Sequence, residues 1–164
     1  MASVTLSNVS KYYGEVCATR DLSFCCDDGQ MIALLGPSGC GKTSTLKMIA
    51  GIEDISEGEI YLDERLVNGL SPGARNIAMV FEDYALYPNM SVSENIAFPL
   101  KLRRWPAKEI RQRIDPVLEL LDLHDQKDSN VRSLSGGAQQ RVSIGRALVR
   151  EPELRLRTLL SFWS

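Results

Sequence analysis

The stretch "GPSGCGKT" at 36–43 constrains this chain more than any other. It fits the pattern G-x-x-x-x-G-K-[S/T], and it stands between the apolar run "MIALL" at 31–35 and the helix-forming "KTSTLKMIAG" at 42–51. A phosphate-cradling loop requires that order of strand, glycine-rich turn and helix. Gly36, Gly39 and Gly41 free the backbone to curl, so that successive N–H groups can point at one anion. The start of the following helix adds its partial positive charge. Pro37, Ser38, Cys40 and Ser44 complete the loop and its exit. Lys42 is expected to reach the β- and γ-phosphates, and Thr43 to offer a hydroxyl to Mg²⁺. The thiol of Cys40 lies beside a helix N-terminus, a setting that favours reactivity, and bound nucleotide is expected to shield it.

Around the loop the chain alternates between strand and helix periods. "VTLSNV" at 4–9 reads as a half-buried strand, a second strand is expected around 20–26, and "DDG" at 27–29 is a turn. "MIALL" is continuously apolar, as a fully buried strand of a parallel sheet requires. The following helix puts Leu46, Ile49 and Ala50 on one face and takes Gly51 as its C-cap. "GEIYLDERLV" at 58–67 predicts two short strands about an acidic turn, and "NIAMVF" at 76–81 another buried strand. From about residue 91 the period becomes helical. "SVSENIAFPLKL" is capped by Ser91 or Ser93, and "AKEIRQRIDPVLELLDL" carries Pro116, which is expected to kink or split its helix. A further helix is expected at "SGGAQQRVSIGRALV", with a return toward a strand at 154. The pattern is that of an α/β fold.

Composition excludes several function classes. The 164 residues are enough for one domain with a real core. A net charge of −2 argues against nucleic acid as a partner, because phosphate-backbone binding needs a basic face. "MASVTLSNVS" lacks the basic and apolar regions of a signal peptide, and the apolar runs fall far short of the roughly 20 residues that span a bilayer. A cytosolic chain is expected. Cysteines at 17, 25, 26 and 40 show no C-x-x-C spacing, so reduced structural thiols are expected rather than a zinc site.

A second motif narrows the class of nucleotide protein. "LSGGAQQRV" at 134–142 resembles the signature motif of ABC transporter ATPases. "KYYG" at 11–14 and "MVFEDYALYPNMSVSENI" at 79–96 follow that family's order, and the combination of "GPSGCGKT", "DYALYPNMSV" and "SIGRALVREP" is similar to its carbohydrate-importer branch of maltose and glycerol-phosphate type. The resemblance covers residues 1 to about 154. It implies a P-loop ATPase with an antiparallel β subdomain and a helical subdomain. The expected domain spans 1–154: about 1–85 form the nucleotide-binding core and β subdomain, and about 86–150 the helical subdomain. It further implies that Tyr13 stacks on the adenine of ATP. Ser135, Gly136 and Gly137 would close on the nucleotide of a second ATPase subunit in a head-to-tail dimer. The region 82–90 would receive membrane permease subunits, placing the protein on the inner face of the cell membrane.

Three departures from the family pattern stand out. Glu82 occupies the position of a glutamine that senses the γ-phosphate and touches Mg²⁺; a carboxylate also ligates Mg²⁺ but adds negative charge. Ala138 replaces a glutamine of the signature. Where the family has an apolar strand ending in two catalytic acids, this chain reads "LRLRTLL", with no carboxylate after Glu153. His124, the only histidine, is expected at the surface and is not the family's switch histidine. Arg155 and Arg157 are expected to keep an aberrant tail, 155–164, out of a core sheet lacking its later strands. The resemblance therefore implies a fragment of an importer ATPase, altered by a frameshift near codon 154, that hydrolyses ATP poorly. A non-catalytic nucleotide-binding or interaction fragment is the alternative.

Overall fold

The computed structural model describes residues 2–80, 83–152 and 154–157, without the side chains of Arg155 and Arg157. Glu82 and residues 158–164 of the expected tail lie outside the described residues. The chain forms two compact units, one reaching Met79 and including the strand at 154–157, the other spanning Val80–Pro152.

Alternation builds the first unit. Strand β1 (Val4–Tyr13) buries Val4, Leu6 and Val9. Leu6 and Val9 are three apart and would face opposite sides of a regular strand. A register shift between them, with Asn8 at φ +50°, resets the alternation so that both join the core. β1 pairs antiparallel with β2 (Val16–Cys26) on one side and β3 (Glu57–Leu62) on the other. β4 (Arg65–Leu66) completes the order β2-β1-β3-β4. Helix α1 (Lys42–Ala50) lays Met48, Ile49 and Ala50 into the same core as Ile60 and Leu62. It ends at Gly51, whose φ of +73° turns the N–H back to the carbonyls of Lys47 and Met48.

Two expectations fail here. "MIALL" forms no strand: Met31 and Leu35 are 94% and 89% exposed. A central strand needs hydrogen-bonded neighbours, and among the described residues no strand pairs with 31–35. Conversely, part of the segment expected outside any sheet is a strand. β6 (Leu154–Arg157) pairs with β5 (Ile77–Val80). A two-residue period puts Leu154 and Leu156 on one face, Leu156 is buried, and both join the core of this unit. That apolar face outweighs the arginine positions.

The second unit is helical. α2 (Val92–Leu102), α3 (Ala107–Leu120) and α4 (Gly136–Leu148) enclose Val92, Ile96, Leu100, Leu118 and Val142. Ser91 starts α2 with a capping box: its hydroxyl accepts from the Glu94 amide, and the Glu94 carboxylate accepts from the Ser91 amide. α3 continues through Pro116 as one helix instead of splitting. Pro116 is exposed, so the carbonyl it leaves unpaired can turn to water. His124 lies in a short 3₁₀ turn with its side chain 55% exposed, as expected of a surface residue. No helix among the described residues is long and apolar enough to cross a membrane.

Candidate nucleotide-binding site

The glycine-rich loop joins an irregular segment to the start of α1. Gly36, Gly39 and Gly41 take φ of +154°, +82° and +86°, and so curl the chain. Gly41 is required twice over. It is the N-cap of α1 in a left-handed conformation, and a Cβ there would lie 2.3 Å from the Ala18 carbonyl oxygen in β2. β2 thus sets how the loop approaches the sheet. No side chain caps α1. The amides of Lys42, Thr43 and Ser44 in its first turn therefore remain available to an anion. The Thr45 hydroxyl is committed to the Gly41 carbonyl at 2.9 Å, whereas that of Thr43 has no partner among the described residues.

Lys42 bends back over the loop. Its Nζ donates to the carbonyls of Gly36 and Pro37, each at 2.7 Å, and lies 3.3 Å from Cys40 Sγ. The ammonium is thus held above the curl of the loop. Cys40 is exposed.

Tyr13 comes from the end of β1, far from the loop in sequence, yet its phenol oxygen is 3.4 Å from Ser44 Oγ. The phenol also donates to the Glu53 carboxylate, which Lys47 Nζ meets at 3.1 Å. Lys11 Nζ sits 4.9 Å above the Tyr13 ring centroid. Burial works to raise the Glu53 pKa, but the hydrogen bonds from Tyr13 and Lys47 and the charges of Lys47 and Lys11 hold it below the usual carboxylate range. Tyr13, Ser44 and the loop therefore form one group in the first unit.

In the second unit, Ser135 is the N-cap of α4 and its hydroxyl accepts from the Ala138 amide at 3.3 Å. Gly136 and Gly137 follow at the open helix start, where an added Cβ would meet nothing within 4 Å. Ala138 is only 3% exposed and packs in the helical core.

The loop before α2 is fastened to α4. Tyr84 and Ala85 take left-handed φ of +58° and +43°. Ser143 Oγ donates to the Tyr84 carbonyl at 3.0 Å, and Arg146 donates to the carbonyls of Ala85 at 2.6 Å and Tyr84 at 3.3 Å. The Arg146 guanidinium also lies 5.2 Å from the Tyr87 ring centroid. Fully buried Asn95 accepts from the Tyr87 amide and donates to the carbonyls of Tyr87, Met90 and Ser91. Asp83, Tyr84, Leu86 and Pro88 of this loop line a cavity of about 210 Å³ with Gln139.

Sequence reasoning did not single out Glu53, Lys47, Arg75, Asn95 or Arg146. Arg75 is the least expected. It is 2% exposed and donates to the carbonyls of Met48 and Ile49 at the end of α1, and to those of Leu70 and Asn68. The only signal was a charge or amide set in an apolar stretch, as in "RNIAMVF" and "ENIAF".

The ABC transporter domain family matches residues 19–157. The chain belongs to the ABC transporter family. It is 52% identical over 162 residues to the trehalose/maltose import ATP-binding protein MalK of Thermococcus litoralis, a match covering 95% of this chain and 44% of that protein. It is 50% identical over 153 residues to the sn-glycerol-3-phosphate import ATP-binding protein UgpC of Rhizobium meliloti, covering 93% and 44%. The chain thus spans less than half the length of these relatives. Among solved structures it resembles a dimeric ATP-binding cassette in a post-hydrolysis state bound to ADP and Pi. The TM-score is 0.84 at 31% identity, over 97% of this chain and 75% of that one. It also resembles CbiO1 of Clostridium perfringens, part of the ABC transporter complex CbiONQ. There the TM-score is 0.85 at 27% identity, over 94% of this chain and 64% of that one. These neighbours agree with an α/β P-loop ABC ATPase fold.

Proposed function

We propose that this chain is the nucleotide-binding part of an ABC importer subunit that couples ATP binding and hydrolysis to carbohydrate uptake. One observation carries the reading: a glycine-rich loop with free helix-start amides and a poised ammonium, beside an aromatic side chain that reaches Ser44 from strand β1. That arrangement suits a triphosphate joined to a base. In this reading Gly36, Pro37, Ser38, Gly39, Cys40, Gly41 and Ser44 shape the phosphate cradle. Lys42 leaves the loop carbonyls for phosphate oxygens. Tyr13 stacks on adenine.

The uncommitted Thr43 hydroxyl fits a magnesium ion, which takes hard oxygen ligands and keeps few from protein. Glu82 is the second proposed oxygen donor. The ion would neutralise charge on the β- and γ-phosphates. Ser135, Gly136 and Gly137 would act on the nucleotide of a second subunit. The loop at 82–90 would meet a membrane permease, so the protein would work at the inner face of the membrane.

A second reading rests on β6, whose positions 154–157 read Leu-Arg-Leu-Arg without an acid. Such a chain would bind ATP and turn it over poorly or not at all, as a non-catalytic nucleotide-binding fragment. Fluorescence titration with an ATP analogue, together with phosphate release, tests both. Mg²⁺-dependent binding lost in Lys42→Ala supports the site; turnover that also disappears in Lys42→Ala rejects the non-catalytic reading. No binding by the wild-type chain rejects both.

A further inference from the structure

We propose that Glu53 is a positioning residue that fixes the Tyr13 ring as a ready-made platform for the base, so that selection of a nucleotide over a bare polyphosphate depends on it. The inference rests on the nucleotide-binding reading above. Three restraints converge on one ring. The phenol edge donates to Glu53 and approaches Ser44 Oγ at 3.4 Å. One face lies beneath Lys11 Nζ at 4.9 Å. Lys11 is itself held, because Nζ donates to the Asp54 carbonyl at 2.6 Å. Lys47 reaches Glu53 at 3.1 Å from α1, so the carboxylate bridges the platform to the helix that begins at the phosphate loop.

Tyr13 is nevertheless 45% exposed, which is room for a stacking partner. A tyrosine at the end of a strand would otherwise rotate freely, and a ligand stacking on it would have to stop that motion. Ordering one such side chain during folding instead of during binding is worth on the order of three- to tenfold in affinity. Glu53 touches neither base nor phosphate in this account; it acts through Tyr13. The ligand selected is a nucleoside triphosphate with a flat, stackable base. Tripolyphosphate shares its anionic part and lacks the base.

The test is calorimetric titration of the full chain with ATP and with inorganic tripolyphosphate, both with Mg²⁺. The variants are Tyr13→Ala, Glu53→Leu and Glu53→Gln, with circular dichroism to verify folding. The expected wild-type result is a clear preference for ATP, abolished in Tyr13→Ala. Glu53→Leu lowers ATP affinity about three- to tenfold and leaves tripolyphosphate affinity within about twofold. Glu53→Gln keeps an oxygen acceptor for the phenol and recovers most of the preference; Glu53→Ala, which removes the acceptor and is expected to match the leucine variant, replaces it if that one does not fold. If Tyr13→Ala erases the preference but both Glu53 variants keep it, the inference is overturned and the nucleotide reading stands. Equal losses for both ligands would make Glu53 merely structural and also overturn it. A wild-type chain that binds both ligands equally defeats the Tyr13 reading and the inference with it.

Discussion

Replacing Arg75 with methionine removes a guanidinium while nearly conserving volume, and the structure predicts a large loss. Arg75 is 2% exposed and its donors satisfy four carbonyls, of Met48, Ile49, Asn68 and Leu70. Met48 and Ile49 lie in the last turn of α1; the Met48 carbonyl also accepts from the Gly51 amide, so removing Arg75 takes the donor from three carbonyls, of Ile49, Asn68 and Leu70. Left unsatisfied, each of these three acceptors costs about 1–3 kcal/mol, which sets an upper bound near 3–9 kcal/mol. Two effects reduce it. Burial pushes the Arg75 pKa down, opposed only by Asp54, so removing the buried charge recovers some desolvation cost. Water can also reach the carbonyls nearest the surface. A net destabilisation of about 3 kcal/mol follows, with Arg75→Lys between the two because one ammonium cannot span all four oxygens. Urea unfolding followed by circular dichroism measures it, and hydrogen exchange at α1 amides locates it. If Arg75→Met stays within about 1 kcal/mol of wild type, desolvation outweighs the hydrogen bonds and the reasoning fails.

Other expectations follow from the same geometry. Gly41→Ala should abolish ATP-analogue binding, because its Cβ would stand 2.3 Å from the Ala18 carbonyl at φ +86°; retained affinity would show that the loop can shift off β2. Asn95→Ala should cost about 2–4 kcal/mol in urea melts and speed amide exchange at Tyr87, since it deletes four hydrogen bonds made by a fully buried side chain. Glu53 titrates below its ordinary range, so its contribution to stability is complete above about pH 5 and vanishes as acid protonates the folded carboxylate. Wild type should therefore lose stability relative to Glu53→Gln as pH falls below about 5; parallel pH curves would contradict it.

Local chemistry was legible in the sequence, and long-range pairing was not. Ser91 and Gly51 announce the ends of α2 and α1 because a cap needs only its own neighbours. The loop at 36–43 could be read for the same reason. "MIALL" has the apolarity of a buried strand and forms none, because a strand also needs partners, and none is present among the described residues. At 154–157 the arginines drew more weight than the leucine alternation, yet Leu154 and Leu156 join the core. Arg75, Glu53 and Asn95 serve backbone and side chains on other elements, and no local spacing predicts such contacts. Glu82 was legible only as a departure from a family pattern.

The register of β1 also orders events in time. β1 and β2 are joined by a short turn and can zip as a hairpin within microseconds. β1 and β3 pair position 4 with 62, so a long stretch of chain must be gathered before that ladder forms. The phosphate loop and α1 lie inside the gathered stretch. During synthesis the hairpin can assemble as soon as residue 26 has emerged, but the sheet that backs the candidate site must wait for residue 62. One edge of β1 thus stays unpaired until a much later segment arrives to complete the sheet.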